Sequence, residues 1–189
     1  MNEPWLALFA AINPAAALIA FRGAVSDRWG TNAFAKERLL VAAAGVVIAV
    51  AIYAALTFAG EDLLDGLDIA PETFRIAAGI VMAASGVFAI WRMGLADDGA
   101  LPGIGAGVFP LGVPLLASAA GLVAALSYGV DHGSGRTFVA AAVIVVVTGT
   151  LAWLYRDSWR PIAGALARIT GAVLVAVAAA LVVEGVRDI

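Results

Sequence analysis

The stretch AAINPAAALIAF, residues 10–21, sets Asn13 and Pro14 inside an otherwise apolar run, and FPLGVP at 109–114 does the same with Phe109, Pro110 and Pro114. Proline has no amide hydrogen and its ring crowds the preceding turn. Pro14 should therefore free the carbonyl of Ala10, Pro110 that of Ala106, and Pro114 that of Pro110. A carbonyl released in hydrocarbon has no water to turn to. Asn13 adds an amide that both donates and accepts, and Ser118, four residues beyond Pro114, adds a hydroxyl. Carbonyls, an amide and a hydroxyl without net charge suit a small polar or zwitterionic solute, and suit phosphate or nucleotide poorly. For either proline alone, a packing kink repaired by neighbouring helices is the blander alternative.

The other polar groups at depth are Tyr53, Thr57, Ser85, Thr148 and Thr170. An isolated Ser or Thr usually bonds its own helix or a neighbour and packs as a small residue. Ser85 and Thr170 are nevertheless carried as candidate solute contacts beside Asn13, Pro14, Phe109, Pro110, Pro114 and Ser118. No Asp, Glu, Lys, Arg or His lies near the centre of an apolar block, and a proton relay normally needs one there. Of the coupling ions Na+ and H+, a midplane carboxylate coupled to H+ is therefore unsupported, whereas Na+ held by backbone carbonyls and Ser or Thr oxygens is compatible, as is uncoupled passage. Arg75 and Arg168 stand at block entrances, where they could contact a solute carboxylate during gating or simply snorkel to headgroups. Asp131 and His132 lie in the short connection YGVDHGSGR, and a lone loop histidine is most simply solvated. No metal or cofactor is expected. With no cysteine and no nucleophile–base pair, a membrane enzyme is a weak alternative, and an accessory membrane subunit without a cavity a stronger one.

These residues need elements to hold them, and the composition says which. The 189 residues are 63% hydrophobic and 13% charged, with a mean hydropathy of +1.00, against roughly 45–50% and about 25% in soluble domains. The apolar residues fall into six blocks, at 5–21, 39–59, 74–91, 105–130, 138–155 and 169–183. Most approach the roughly 17–25 residues that cross a bilayer as helix. The first block is preceded by MNEP, without the positive charge that opens a cleavable signal, so it reads as a retained span.

Six spans put the connections 22–38, 92–104 and 156–168 on one side of the membrane. Arg22, Arg28, Lys36, Arg38, Arg92, Arg156, Arg160 and Arg168 fall on that side, whereas only Arg75, Arg136 and Arg187 fall on the other. Lys and Arg resist translocation, so the first side is expected to be cytoplasmic and both termini outside. The acidic run EDLLDGLDIAPE, 61–72, is then external. Trp5, Trp91 and Trp153 at block ends, with Trp29 and Trp159 just beyond, fit rings that seek the interface.

Block three begins RIAAGIVMAASGVF at Arg75 and block six RITGAVLVAVAAAL near its start at Arg168, an offset of 93 residues in a chain of 189. Blocks one and four both carry interrupting prolines. Each half thus reads as a broken helix followed by two more. Three being odd, the second half enters from the opposite face, as in many secondary transporters, whose interrupted helices meet near the midplane.

The runs INPAAALIAF, FRIAAGIVMAASGVF, VFPLGVPLLASAAG and ARITGAVLVAVAAALVVEGV resemble the MarC family of six-span bacterial and archaeal inner-membrane proteins over nearly the whole chain. Asn-Pro and Phe-Pro-Leu-x-x-Pro are the specific elements. The resemblance implies an inverted bundle of small-solute transporters, some associated with neutral amino acids such as glycine and alanine. Ala16 and Ile19 stand where the family usually has Gly and Pro, and Ser118, Ala119 and Ala120 where it has Gly-Pro-Gly. The chain therefore resembles a divergent member.

The expectation is an all-α polytopic bundle of six helices, with inverted repeats at 1–96 and 97–189 and broken first and fourth helices. It would sit in a bacterial or archaeal plasma membrane and carry a small neutral polar solute by alternating access. Lipid and the solute are its expected partners, nucleic acid is not, and a homo-oligomer is compatible with the sequence.

Overall fold

The computed structural model describes residues 4–26, 35–91, 107–154 and 157–189. They form α1 (Pro4–Ile12), α2 (Pro14–Ser26), α3 (Ala35–Gly66), α4 (Pro71–Trp91), a π-helical segment (Gly107–Leu116), α5 (Ala119–His132), α6 (Ser134–Leu154), a 3-10 turn (Asp157–Trp159) and α7 (Arg160–Arg187). No strand occurs among the described residues, so the all-α expectation holds there.

Among the described residues five segments are long and apolar enough to cross a membrane: Pro4–Phe21, which includes its break, then Leu39–Gly66, Pro71–Trp91, Ser134–Leu154 and Arg160–Arg187. The remaining apolar block is divided. Its ten-residue π segment and fourteen-residue α5 are each shorter than the roughly 17–25 residues of a span. Large apolar side chains such as Val47, Ile80, Ile169 and Val183 point outward, as hydrocarbon solvent permits. Trp5, Trp91, Trp153 and Trp159 are exposed near helix ends.

Both interruptions form, with two differences from the sequence reading. In the first block the non-helical residue is Asn13, whose φ of 48° is left-handed. Asparagine is among the few residues that take this conformation cheaply, and Pro14 follows as the first residue of α2, where it needs no amide hydrogen. In the second, Pro110 and Pro114 do not end the helix. The backbone there widens to π geometry, closing with Ala117 N–H to the Gly112 carbonyl at 2.8 Å, and the break falls at Ala117–Ser118. The acidic run also departs from expectation: through Gly66 it is helical and lengthens α3 to 32 residues. At 1.5 Å per residue this is about 48 Å, more than the roughly 30 Å hydrocarbon core.

α4 and α7 pack antiparallel. A Cβ on Gly86 would stand 2.7 Å from the Gly171 carbonyl oxygen, and one on Gly171 2.9 Å from that of Gly86. Lipid tails are as apolar as side chains, so helices in a membrane gain little from hydrophobic burial and must gain from close backbone approach. Gly79 meets Ala178 and Val182 one heptad away, whereas Ala83 of the Gly79-x-x-x-Ala83 pattern is only half-buried.

Arg75 ties one end of the bundle. Its Nε donates to Asp131 Oδ2 at 2.9 Å, its Nη2 to Asp131 Oδ1 at 2.7 Å, and its Nη1 to Asp188. The start of α4, the end of α5 and the carboxyl-terminal tail therefore meet at one end of the bundle. The connection 27–34, with Trp29, and residues 92–106 lie outside the described residues.

Candidate functional site

At the first break Asn13 is buried and uses both ends of its amide. Oδ1 accepts from Ala16 N–H at 3.2 Å, which caps the first turn of α2, and from the Thr170 hydroxyl at 2.8 Å. Nδ2 donates to the Ala167 carbonyl on α7 at 3.2 Å. The short α1 and α2 are thereby fixed to α7 through one side chain.

At the second break Ser118 caps α5, accepting from Gly121 N–H at 3.1 Å, and its hydroxyl donates to the Ala11 carbonyl at 2.9 Å. Tyr53 of α3, wholly buried, donates to the Leu116 carbonyl at 3.0 Å. The Ala11 and Leu116 carbonyl oxygens beside the two interruptions are thus taken up by protein side chains. The sequence had left such carbonyls open to a guest; burial in lipid makes an unpaired one costly, so Ser118 and Tyr53 supply donors.

Between the breaks lies a cavity of about 510 Å³ lined by Asn13, Ser85, Pro114 and Ser118 together with alanines of α2, α4 and α5 and the ring of Phe88. Among the described residues no Asp, Glu, Lys, Arg or His lines it. Its hydrogen-bonding surface comes from the Asn13 amide, the Ser118 hydroxyl, the Ser85 hydroxyl, which also donates to Val81 O at 2.8 Å, and backbone. Ala119 and Ala120, in the first turn of α5, are among the lining residues. Amides of a first helical turn lack intrahelical acceptors and carry the positive end of the helix dipole.

Of the residues singled out from the sequence, Asn13, Ser85, Pro114 and Ser118 come together here. Thr170 lies behind Asn13, and Pro14 with Thr170 faces a second cavity on the other side of that pair. Arg75 is held by Asp131 and Asp188 at the bundle end, and Arg168 is exposed on α7; neither lines the first cavity. The side chains of Phe109 and Pro110 lie outside the described residues. Tyr53 and the Ala11 and Ala167 carbonyls were missed as parts of the site. A tyrosine in mid-span was a usable signal, because its hydroxyl must find an acceptor away from water. Among the described residues no three His, Asp or Glu gather as a metal site, and Asp131 beside His132 is committed to Arg75.

A family model, that of the MarC family integral membrane proteins, matches residues 3–189. The chain belongs to the MarC family. As a MarC protein it is an integral membrane protein crossing the bilayer several times, and lipid is its surrounding solvent. No curated protein and no solved structure matches this MarC chain significantly.

Proposed function

We propose that this MarC protein carries a small neutral polar solute, such as a small amino acid, through the plasma membrane by alternating access around the two helix breaks. The observation that carries the reading is the single cavity bordered by both breaks, with Asn13 from one and Ser118 from the other. In this reading residues 1–96 and 97–189 are inverted halves, each opening with an interrupted helix, and both termini are external. The α5 first turn would attract a solute carboxylate, while carbonyl and hydroxyl oxygens would receive its ammonium. Alanine walls limit hydrogen bonding to a few points, which suits a compact solute. A cavity whose described lining residues include no titratable side chain favours Na+ over H+ as any coupling ion.

An accessory subunit would need no such cavity. The test is a thermal-shift series with glycine, alanine and serine, with and without sodium, followed by uptake of the best ligand into proteoliposomes. Binding that Ser118→Ala removes supports the carrier. Equal response of wild type and variant to every solute would end the site assignment.

A further inference from the structure

We infer that the second cavity is a phospholipid site: one acyl chain lies along it in one leaflet, with an anionic headgroup at its Trp159 end. The cavity, about 430 Å³, is enclosed by α1, α2, α6 and α7 and lined by carbon from Phe9, Leu18, Val147, Leu151, Ile162 and Leu166. Its two hydroxyls are engaged elsewhere. Thr148 donates to the Ile144 carbonyl at 2.6 Å, and Thr170 bonds Asn13 and its own helix. Water entering the groove would find too few partners to stay.

Length and charge identify the occupant. From Trp159, at the end of the 3-10 turn, to Thr170 on α7 the lining spans eleven steps of the chain, or about 16 Å at 1.5 Å each. That is about half of the roughly 30 Å hydrocarbon core, the depth of a single leaflet. One end is marked by an interface-seeking tryptophan and the other by the break at Pro14. At the Trp159 end Arg160 is exposed on the first turn of α7. This is also the end to which the charge count assigns most of the lysine and arginine, so a phosphate meets complementary charge there. The tail's inner end would pack against Pro14 and Thr170, directly behind the Asn13 amide that borders the other cavity. The inference needs only membrane embedding and is independent of what the other cavity carries.

Palmitoyl-oleoyl phosphatidylglycerol is titrated into delipidated protein in detergent and read by native mass spectrometry, with phosphatidylcholine of the same chains and free palmitate as competitors. Wild type should retain one phosphatidylglycerol per chain. Val147→Trp and Val143→Phe enlarge half-exposed residues of the groove wall, so their rings can be added without opening the core. Each should weaken retention about tenfold, a change of about 1.4 kcal/mol, with an unchanged elution profile. Arg160→Gln should keep phospholipid binding while losing the preference for phosphatidylglycerol over phosphatidylcholine. Undiminished retention in both groove variants, displacement by palmitate as effective as by phospholipid, or a change of oligomeric mass in place of lipid loss would each overturn the assignment.

Discussion

The Ser118 hydroxyl donates to the Ala11 carbonyl at 2.9 Å, so the residue that caps the helix after the second interruption also satisfies the backbone just before the first. The two breaks are therefore one hydrogen-bonded unit across 107 positions of sequence. Ser118→Ala removes the cap and leaves a buried carbonyl without its donor. It should destabilise the protein by about 1–3 kcal/mol, while Ser118→Thr, which keeps the hydroxyl, should lie closer to wild type. Detergent thermal melts of the three proteins measure this directly.

Asn13 combines a left-handed backbone with a capping side chain, and two substitutions separate these roles. Asn13→Ala loses the cap and forces Cβ into φ 48°, at a combined cost of about 2–3 kcal/mol. Asn13→Gly loses the same side chain but adopts that φ freely, so it should melt higher than the alanine variant by a margin of about 1 kcal/mol or more. Under the proposed function both should also lose any stabilisation by solute. If the alanine variant is as stable as the glycine one, the left-handed turn is not maintained in solution.

Tyr53→Phe deletes one oxygen and leaves the Leu116 carbonyl unpaired in the core. A loss of about 1–3 kcal/mol is expected, the magnitude for stranding a buried acceptor. Urea or thermal unfolding of the purified variant checks it, and a neutral result would mean that water reaches the second break.

The α4–α7 contact is tested by a pair of glycines. Gly171→Ala places a methyl 2.9 Å from the Gly86 carbonyl oxygen and 3.1 Å from the Ala89 methyl, so the helices must separate, at about 1–3 kcal/mol. Gly135→Ala, near the start of α6, meets nothing within 4 Å and should stabilise by about 0.4–1 kcal/mol. Opposite signs in the same melting assay are the expected outcome.

Arg75 grips Asp131 through two parallel hydrogen bonds, with both side chains largely shielded. Asp131→Asn should cost about 1.5–3 kcal/mol, the value of hydrogen bonds to charged groups. Arg75→Lys keeps the charge without the fork and should fall between that variant and wild type. Because the pair is partly buried, added salt should change the difference little, which a melt series in rising NaCl examines.

Membrane embedding, helical class and the blocks that carry an interruption were legible because each follows from local chemistry. Runs of apolar residues demand helix in lipid whatever surrounds them, Arg and Trp mark the ends, and proline removes a hydrogen bond wherever it stands. Even so, the second break moved from the prolines to Ala117–Ser118. A proline shows which amide is missing but not whether the backbone answers by stopping or by widening to a π turn.

Which groups face one another was decided only by the tertiary structure. Asn13 and Thr170 are 157 positions apart and Tyr53 and Leu116 63, and nothing in Ala/Val-rich helices specifies their rotation before packing does. Lipid outside is as apolar as the core inside, so hydropathy carries no signal of inward and outward faces; small-residue contact and the need to pair each buried oxygen set them instead. The sequence by itself determined that the chain enters the membrane and that its first and fourth apolar blocks are interrupted, but not that the second break falls at Ala117–Ser118. Packing alone decided that the interruptions meet, because a hydrogen bond between distant segments exists only once their helices are in register.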